Sequence, residues 1–253
     1  MKIGAFITVR LGSKRLPNKA LLEIKKKPTI VHLIDRIKYA KNLDKIVLCT
    51  TTNPEDKKLI KVAEENNISY FAGDEKDVIK RHLDAAIYHE IDFVINIDGD
   101  DLFCDPEYVD KIAKVAKEKG HLFDIIETKG LPFGVNSFGY KIECLRKIFE
   151  SKKQDDTDTG WGEFFRENTH LKKKEIPADE NHVIDARMSL DYEEDFQFFK
   201  KVIGKLYKED QYFSLEEIFN FLKKNPEIIV NKEVIEKYWK DYEKKKILKN
   251  RDG

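Results

Sequence analysis

Apolar runs of strand length alternate with segments of helical period through the first 120 residues of this chain. Lys2–Val9 (KIGAFITV), Lys45–Thr50 (KIVLCT), Ser69–Ala72 and Phe93–Ile97 (FVINI) are the strand-like runs. Between the first two, Thr29–Ala40 carries Ile30, Leu33, Ile34 and Ile37 at the spacing of one helix face. Pro54 opens a second helix with Leu59, Ile60 and Val62, and Asp74–Tyr88 reads as a third. A fourth runs from Pro106 to Lys119, with Gly120 as its stop. This alternation predicts βαβ units, hence an α/β fold with a mostly parallel central sheet and helices on both faces. Ligands bind such sheets beyond the carboxyl ends of the strands. The loops after Val9, Thr50, Ala72 and Ile97 should therefore meet at one crevice.

The rhythm changes after Gly120. Leu122–Glu127 and Ser137–Lys141 read as strands around the turn-rich Gly130–Asn136, Cys144–Ser151 as a short helix, and Lys153–Gly162 as a polar loop. Residues 121–185 are expected to form an acceptor-side insertion over the crevice within one domain spanning 1–230. Helical patterns follow at Phe213–Lys224 and Lys232–Lys246, and residues 231–253 form a charged C-terminal helix and tail. A chain of 253 residues suits one large α/β domain, and 41% hydrophobic residues supply its core. Lys+Arg 47 balances Asp+Glu 47, so no overall field favours nucleic acid. No stretch reaches the ~20 apolar residues of a membrane span, and the N-terminus has no signal pattern. These features predict a cytoplasmic protein. Cys49, Cys104 and Cys144, odd in number and widely spaced, speak against a disulfide framework or a zinc site, and Cys49 reads as a small buried hydrophobe.

The loop after the first strand concentrates charge. Arg10, Lys14, Arg15 and Lys19 place four cations in ten residues, and Gly12 and Ser13, after Leu11, can turn backbone N–H groups toward an anion. A triphosphate needs both fixed donors and mobile charges. Pro17 stiffens the loop; neither a Walker A nor a Rossmann fingerprint is present. Asp98-Gly99-Asp100-Asp101 follows FVINI, so its carboxylates emerge at the sheet's carboxyl edge, where magnesium takes one or two carboxylates plus substrate phosphates. Asp and Gly are also ordinary turn formers, so this segment alone leaves both readings standing.

Other candidates carry paired readings. Asp77 and Arg81, four apart on a helix, either pair with each other or reach the nucleotide. Thr51 and Thr52 either touch the nucleotide or cap the next helix. Phe133, Gly134 and Asn136 occupy the turn expected to face an acceptor. Trp161, flanked by glycines, either stacks on a sugar face or anchors a lid, whereas Trp239 reads more readily as core. His32 lies on an apolar helix face and reads as structural. In the segment 232–247, Val234, Ile235, Tyr238, Trp239 and Tyr242 at helical spacing pack either on the core or on a second subunit, which leaves a homodimer open.

Several segments resemble one family. RLGSKRLPNKALLEI and KPTIVHLIDR, within residues 10–36, are similar to the opening of CMP-KDO synthetases (3-deoxy-manno-octulosonate cytidylyltransferases) and of the spore-coat polysaccharide cytidylyltransferase group. GDEKDVIKRHLDAA (73–86), VINIDGDD (94–101), MSLDYEEDF (188–196) and FSLEEIFNFLKKNPE (213–227) resemble further motifs of that family, in order. The resemblance implies a single Rossmann-like nucleotide-diphospho-sugar transferase domain. It also implies transfer of CMP from CTP to a small sugar-like acceptor, for surface polysaccharide or glycoconjugate precursors, with release of pyrophosphate. Asp100 matches the Asp of the family's Q-G-D motif and Asp191 that of its V-D-T motif, which makes them the Mg2+ ligands. Asp98 stands where the family often has Gln, leaving base recognition or a second metal as its role. Asp195 reads as an early-helix carboxylate favoured by the helix dipole. Arg10, Arg15 and Lys19 would hold the β- and γ-phosphates. A metal-dependent glycosyltransferase, for which D-G-D is also a fitting motif, and a non-catalytic nucleotide-binding protein are the alternatives.

Overall fold

The structure, a computed structural model, describes residues 1–209, 211–231 and 233–251; residue 232, where the sequence pattern starts its last helix, and the tail residues 252–253 lie outside them. Strand β1 (Ile3–Thr8) leads through the basic loop to a small hairpin, β2 (Glu23–Ile24) and β3 (Lys27–Pro28), and then to helix α1 (Thr29–Ile37). β4 (Lys45–Thr51), α2 (Lys57–Glu65), β5 (Ser69–Gly73), α3 (Val78–His89), β6 (Phe93–Asp98) and α4 (Pro106–Lys119) follow in the predicted alternation. The next section holds β7 (Ile125–Lys129), β8 (Phe138–Lys141), α5 (Ile142–Ser151), the single turn α6 (Glu163–Arg166) and β9 (Lys173–Pro177). Three helices end the chain: α7 (Glu193–Leu206), α8 (Leu215–Lys224) and α9 (Val234–Arg251).

One seven-stranded sheet in the order β5-β4-β1-β6-β8-β7-β9 organises the molecule. β5, β4, β1 and β6 are mutually parallel, β8 is antiparallel to both its neighbours, and β9 returns parallel to β7. Alternation along the strands builds two apolar layers. Ile3, Ala5, Ile7, Leu48, Phe93, Ile95 and Ile97 pack with α1, α2 and α4 on one face. Phe6, Val47, Cys49 and Val94 pack with α3 and α5 on the other. A third cluster gathers Phe103, Met188 and Leu190 with α7 and α8. Cys49, Cys104 and Cys144 are all buried and free, and burial pushes the Cys49 thiol up to about 12.

Residues 121–185 are less of an add-on than their composition suggests, because β7, β8 and β9 extend the same sheet. β7 begins later than the sequence pattern, since a 3-10 turn at Gly120–Leu122 continues the end of α4. β9 is a Lys-rich edge strand ending in proline, which gives no apolar run to detect.

His82 on α3 is fully buried and ties the sheet together. Thr8 Oγ1 donates to Asn96 Oδ1 at 3.0 Å, so it accepts from His82 Nε2 at 2.7 Å, and His82 Nδ1 accepts from Tyr140 Oη at 2.6 Å. Burial, with a smaller contribution from Arg81, lowers this histidine from 6.5 to about 3. Below its ordinary value the unfolded chain binds a proton that the fold refuses, so stability is complete at higher pH and falls as pH drops. The expected loss from this group is about 2 kcal/mol between roughly pH 8 and pH 5, read by urea unfolding. His82→Gln should remove most of that slope.

Candidate active site

The crevice lies at the carboxyl ends of β1, β4 and β6, and the basic loop crosses it. Packing alone requires Gly99 there: a Cβ would stand 2.6 Å from Val9 Cβ, and the Gly99 amide donates to Thr8 O at 2.9 Å. This tight crossing sets Asp98 and Asp100 at the sheet edge.

Asp100 and Asp191, ninety-one residues apart, share one cation. Lys19 Nζ lies 2.5 Å from Asp100 Oδ2 and 3.0 Å from Asp191 Oδ1. Burial opposes the charge on Lys19, but the two carboxylates outweigh it and raise its pKa. Arg15 pairs with the same Asp191 oxygen, and Arg187 Nη2 holds the other at 2.6 Å. Burial alone would raise Asp191; Lys19, Arg15 and Arg187 together hold it down at about 2. The backbone reinforces the meeting, since the Leu190 amide donates to Asp100 O at 2.8 Å.

Asp195 is the foundation of this cluster, a larger role than that of an early-helix carboxylate. Fully buried, it accepts from the amides of Asp191 and Tyr192 at 2.9 and 3.0 Å, from Arg187 Nε at 3.1 Å and from Asn231 Nδ2 at 2.7 Å. Asp195 is the first-turn carboxylate of α7 that its sequence position suggests, with these further contacts added. Arg187 and Asn231 are the residues that sequence reasoning missed; the four-residue spacings 187–191–195 are a signal for the first, and the second has none.

Asp98 is open to solvent on the crevice floor but crowded by protein. That desolvation and the nearby Asp100 charge push it up to about 6, against the Asn96 Nδ2 donor at 3.0 Å. Asp101, deeper, is raised by burial and by Asp100 and Asp98.

A second group lies at the ends of β1 and β4. Asp56, buried, accepts from the Leu11 amide at 2.8 Å and from Thr51 Oγ1. Thr51 Oγ1 also accepts from the Asn53 amide at 3.1 Å, while the cap of the following turn is Asn53 itself; the Leu11 side chain belongs to the core, and Asp56 clamps the basic loop to β4. Ser13 accepts from the Leu16 amide at 3.4 Å, while Gly12 and Lys14 are exposed. Arg10 pairs with Asp158 of the polar loop.

Asp77 and Arg81 do not pair through their side chains. Asp77 caps α3 through the Lys80 amide and holds Thr157 Oγ1 at 2.8 Å and Lys152 Nζ at 2.7 Å, fastening the polar loop. Arg81, 1% exposed, donates to Asp74 O at 2.7 Å, and its Nε has no hydrogen-bond partner among the described residues. Burial lowers its pKa, and Asp158, Arg10 and Asp56 contribute to its field.

On the acceptor side, Gly134 (φ +88) is fixed by sterics, because a Cβ would lie 2.2 Å from Met188 O. Asn136 spends its amide closing the turn onto Leu131 O and Pro132 O at 2.8 and 3.2 Å. Phe133 covers the Arg187 guanidinium at 4.8 Å. Trp161 packs against His82, Phe138, Tyr140 and Phe165. Trp239 is 48% exposed, contrary to its reading as core.

Among the described residues, no three His, Cys, Asp or Glu side chains form a ready-made metal site, and no helix is long and apolar enough to cross a membrane. The cytidylyltransferase family model matches residues 5–248. The uncharacterized protein MJ1063 of Methanocaldococcus jannaschii is 30% identical over 252 residues, covering 96% of this chain and 100% of its own. The spore coat polysaccharide biosynthesis protein SpsF of Bacillus subtilis is 22% identical, covering 90% of this chain and 96% of its own. A solved cytidylyltransferase from Leptospira borgpetersenii superposes with a TM-score of 0.82 at 26% identity, covering 91% of this chain and 98% of its own. With the family model spanning nearly the whole chain, the protein belongs to the cytidylyltransferase family, as a CTP-dependent enzyme.

Proposed function

We propose that this enzyme transfers CMP from CTP to an anionic sugar-type acceptor, with Mg2+ held by Asp100 and Asp191 and pyrophosphate released. The observation that carries the reading is the cation shared by those two carboxylates: Lys19 Nζ occupies a position that suits a bound metal. Two carboxylate oxygens leave the remaining ligands to phosphate and water, as magnesium prefers. Bound there, Mg2+ supplies positive charge and orientation for the α-phosphate.

The chain's own groups do the rest by positioning and charge. Lys19 and Arg15, now on the carboxylates, exchange onto the β- and γ-phosphates when nucleotide enters. Arg10 joins them once it leaves Asp158. Arg81, buried and under-bonded, supports recognition of the nucleoside beside Asp56 and Thr51. An oxygen of the acceptor attacks the α-phosphorus in line, and the bond to the β-phosphate breaks. The name of the SpsF relative supports a place in polysaccharide precursor synthesis.

The Arg10–Asp158 pair gives a direct check. Its side chains are 34% and 25% exposed, so the pair contributes about 1 kcal/mol or less to stability. Asp158→Asn should leave unfolding unchanged and lower the KM for CTP a few-fold in steady-state assays, because Arg10 no longer has to leave a partner. The reading as a whole is tested by a pyrophosphate-release screen crossing four nucleoside triphosphates with 3-deoxy-manno-octulosonate, N-acetylneuraminate and glucose 1-phosphate. Release confined to CTP with one such acceptor is the expected result. Silence in every combination would overturn the reading, and release of a nucleoside diphosphate from a nucleotide-sugar would replace it with glycosyl transfer.

A further inference from the structure

Helix α9 returns to the crevice and is fastened there at two points. Tyr192 Oη, one residue from Asp191, donates to Asp241 Oδ2 at 2.7 Å, and Tyr242 Oη donates to Glu163 Oε1, on α6, at 2.6 Å. Tyr238 lies about one helical turn before both ties. Its ring stands over two of the cations that hold Asp191, 5.3 Å from the Arg15 guanidinium and 4.6 Å from that of Arg187. Phe133 meets the same ring with centroids 5.2 Å apart.

The two arginines differ in what else holds them. Arg187, 1% exposed, is bonded to both Asp191 and Asp195 and lies under Phe133 as well. Arg15 comes from the basic loop, its side chain is 25% exposed, and Asp191 is its carboxylate partner among the described residues. Two ring faces add to that carboxylate, Tyr238 and, at 5.1 Å, Tyr192. A carboxylate fixes the direction of an N–H, whereas a ring face attracts the cation without directing it. Arg15 can therefore leave the Asp191 oxygen for a phosphate oxygen and keep its place on the rings. A long side chain held in this way loses less freedom when its ligand arrives.

We propose that Tyr238 is a positioning residue for the triphosphate: its ring, carried by α9, seats Arg15 where the β- and γ-phosphates arrive. A helix from the other end of the sequence thus completes a site that the basic loop begins. The inference rests on the placing of Arg15 at those two phosphates under the transfer reaction above. It asks nothing of the acceptor.

Direct binding to the full-length protein tests it, by calorimetric titration with CTP and with CMP in the presence of Mg2+. Tyr238→Leu keeps an apolar side chain and removes the ring, and it should raise the Kd for CTP about five- to tenfold, the loss of one cation–ring contact. The Kd for CMP, which lacks the two outer phosphates, should stay within about twofold. Tyr238→Phe should bind CTP within about twofold of the unaltered protein, because it keeps the ring. An unchanged Kd for CTP in Tyr238→Leu would overturn the seat. Equal weakening toward both nucleotides would overturn it too, by showing a role in the fold alone. A Tyr238→Phe protein with weakened CTP binding would do the same, and that arm stands even where Tyr238→Leu loses its fold. CMP bound as tightly as CTP by the unaltered protein would instead remove Arg15 from the outer phosphates, and this inference with it.

Discussion

Asp100→Asn is expected to lower pyrophosphate release by about 10²–10³-fold or more while leaving the fold intact. The substitution keeps the shape of the side chain and removes one of the two charges around the shared cation. Asp100 is 24% exposed and its ion partner among the described residues is Lys19, so thermal unfolding should move little. A single-turnover assay beside a melting curve checks both halves. Full turnover in this variant would end the assignment of Asp100 to the metal. Asp191→Asn is a poorer probe, because Asp191 also neutralises Arg15 and Arg187.

Arg187→Met should give the largest loss of stability, about 3–5 kcal/mol, because it leaves Asp195 buried without its ion partner and takes one of three cations from Asp191. For a chain of this size that is a fall in Tm on the order of 10 °C. Arg187→Met combined with Asp195→Asn should cost less than the sum of the single changes, because the residues share one network. A melting-temperature cycle over the four proteins measures that difference. Additive losses would show that the two residues act independently.

The sequence made the alternating half of the molecule readable, because each strand there is an apolar run and each helix keeps its period. The meeting of the basic loop with Asp100 could be read for the same reason: both follow strands whose carboxyl ends must share an edge. Asp191 was reachable only through resemblance, since nothing local marks it. Asp56 escaped because its contact with the Leu11 amide joins residues far apart in the chain, and Arg187 because an arginine four residues before an aspartate is a common spacing that does not mark a buried network. The tryptophans show how little flanking residues decide: between its glycines Trp161 fitted a sugar stack or a lid anchor, and in the structure it packs in a cluster of rings. Trp239 read more readily as core, with a second subunit as the other partner for its helix, and it stands 48% exposed on α9.

The lysine between the two catalytic-edge carboxylates has a consequence for how the protein is made and kept. Bringing acidic groups together ordinarily makes folding wait for an ion from solution. Here the chain carries its own placeholder, a tethered ammonium that quiets the repulsion until substrate arrives. With Mg2+ binding there as proposed, a chelator is expected to stop turnover while the melting temperature stays where it was.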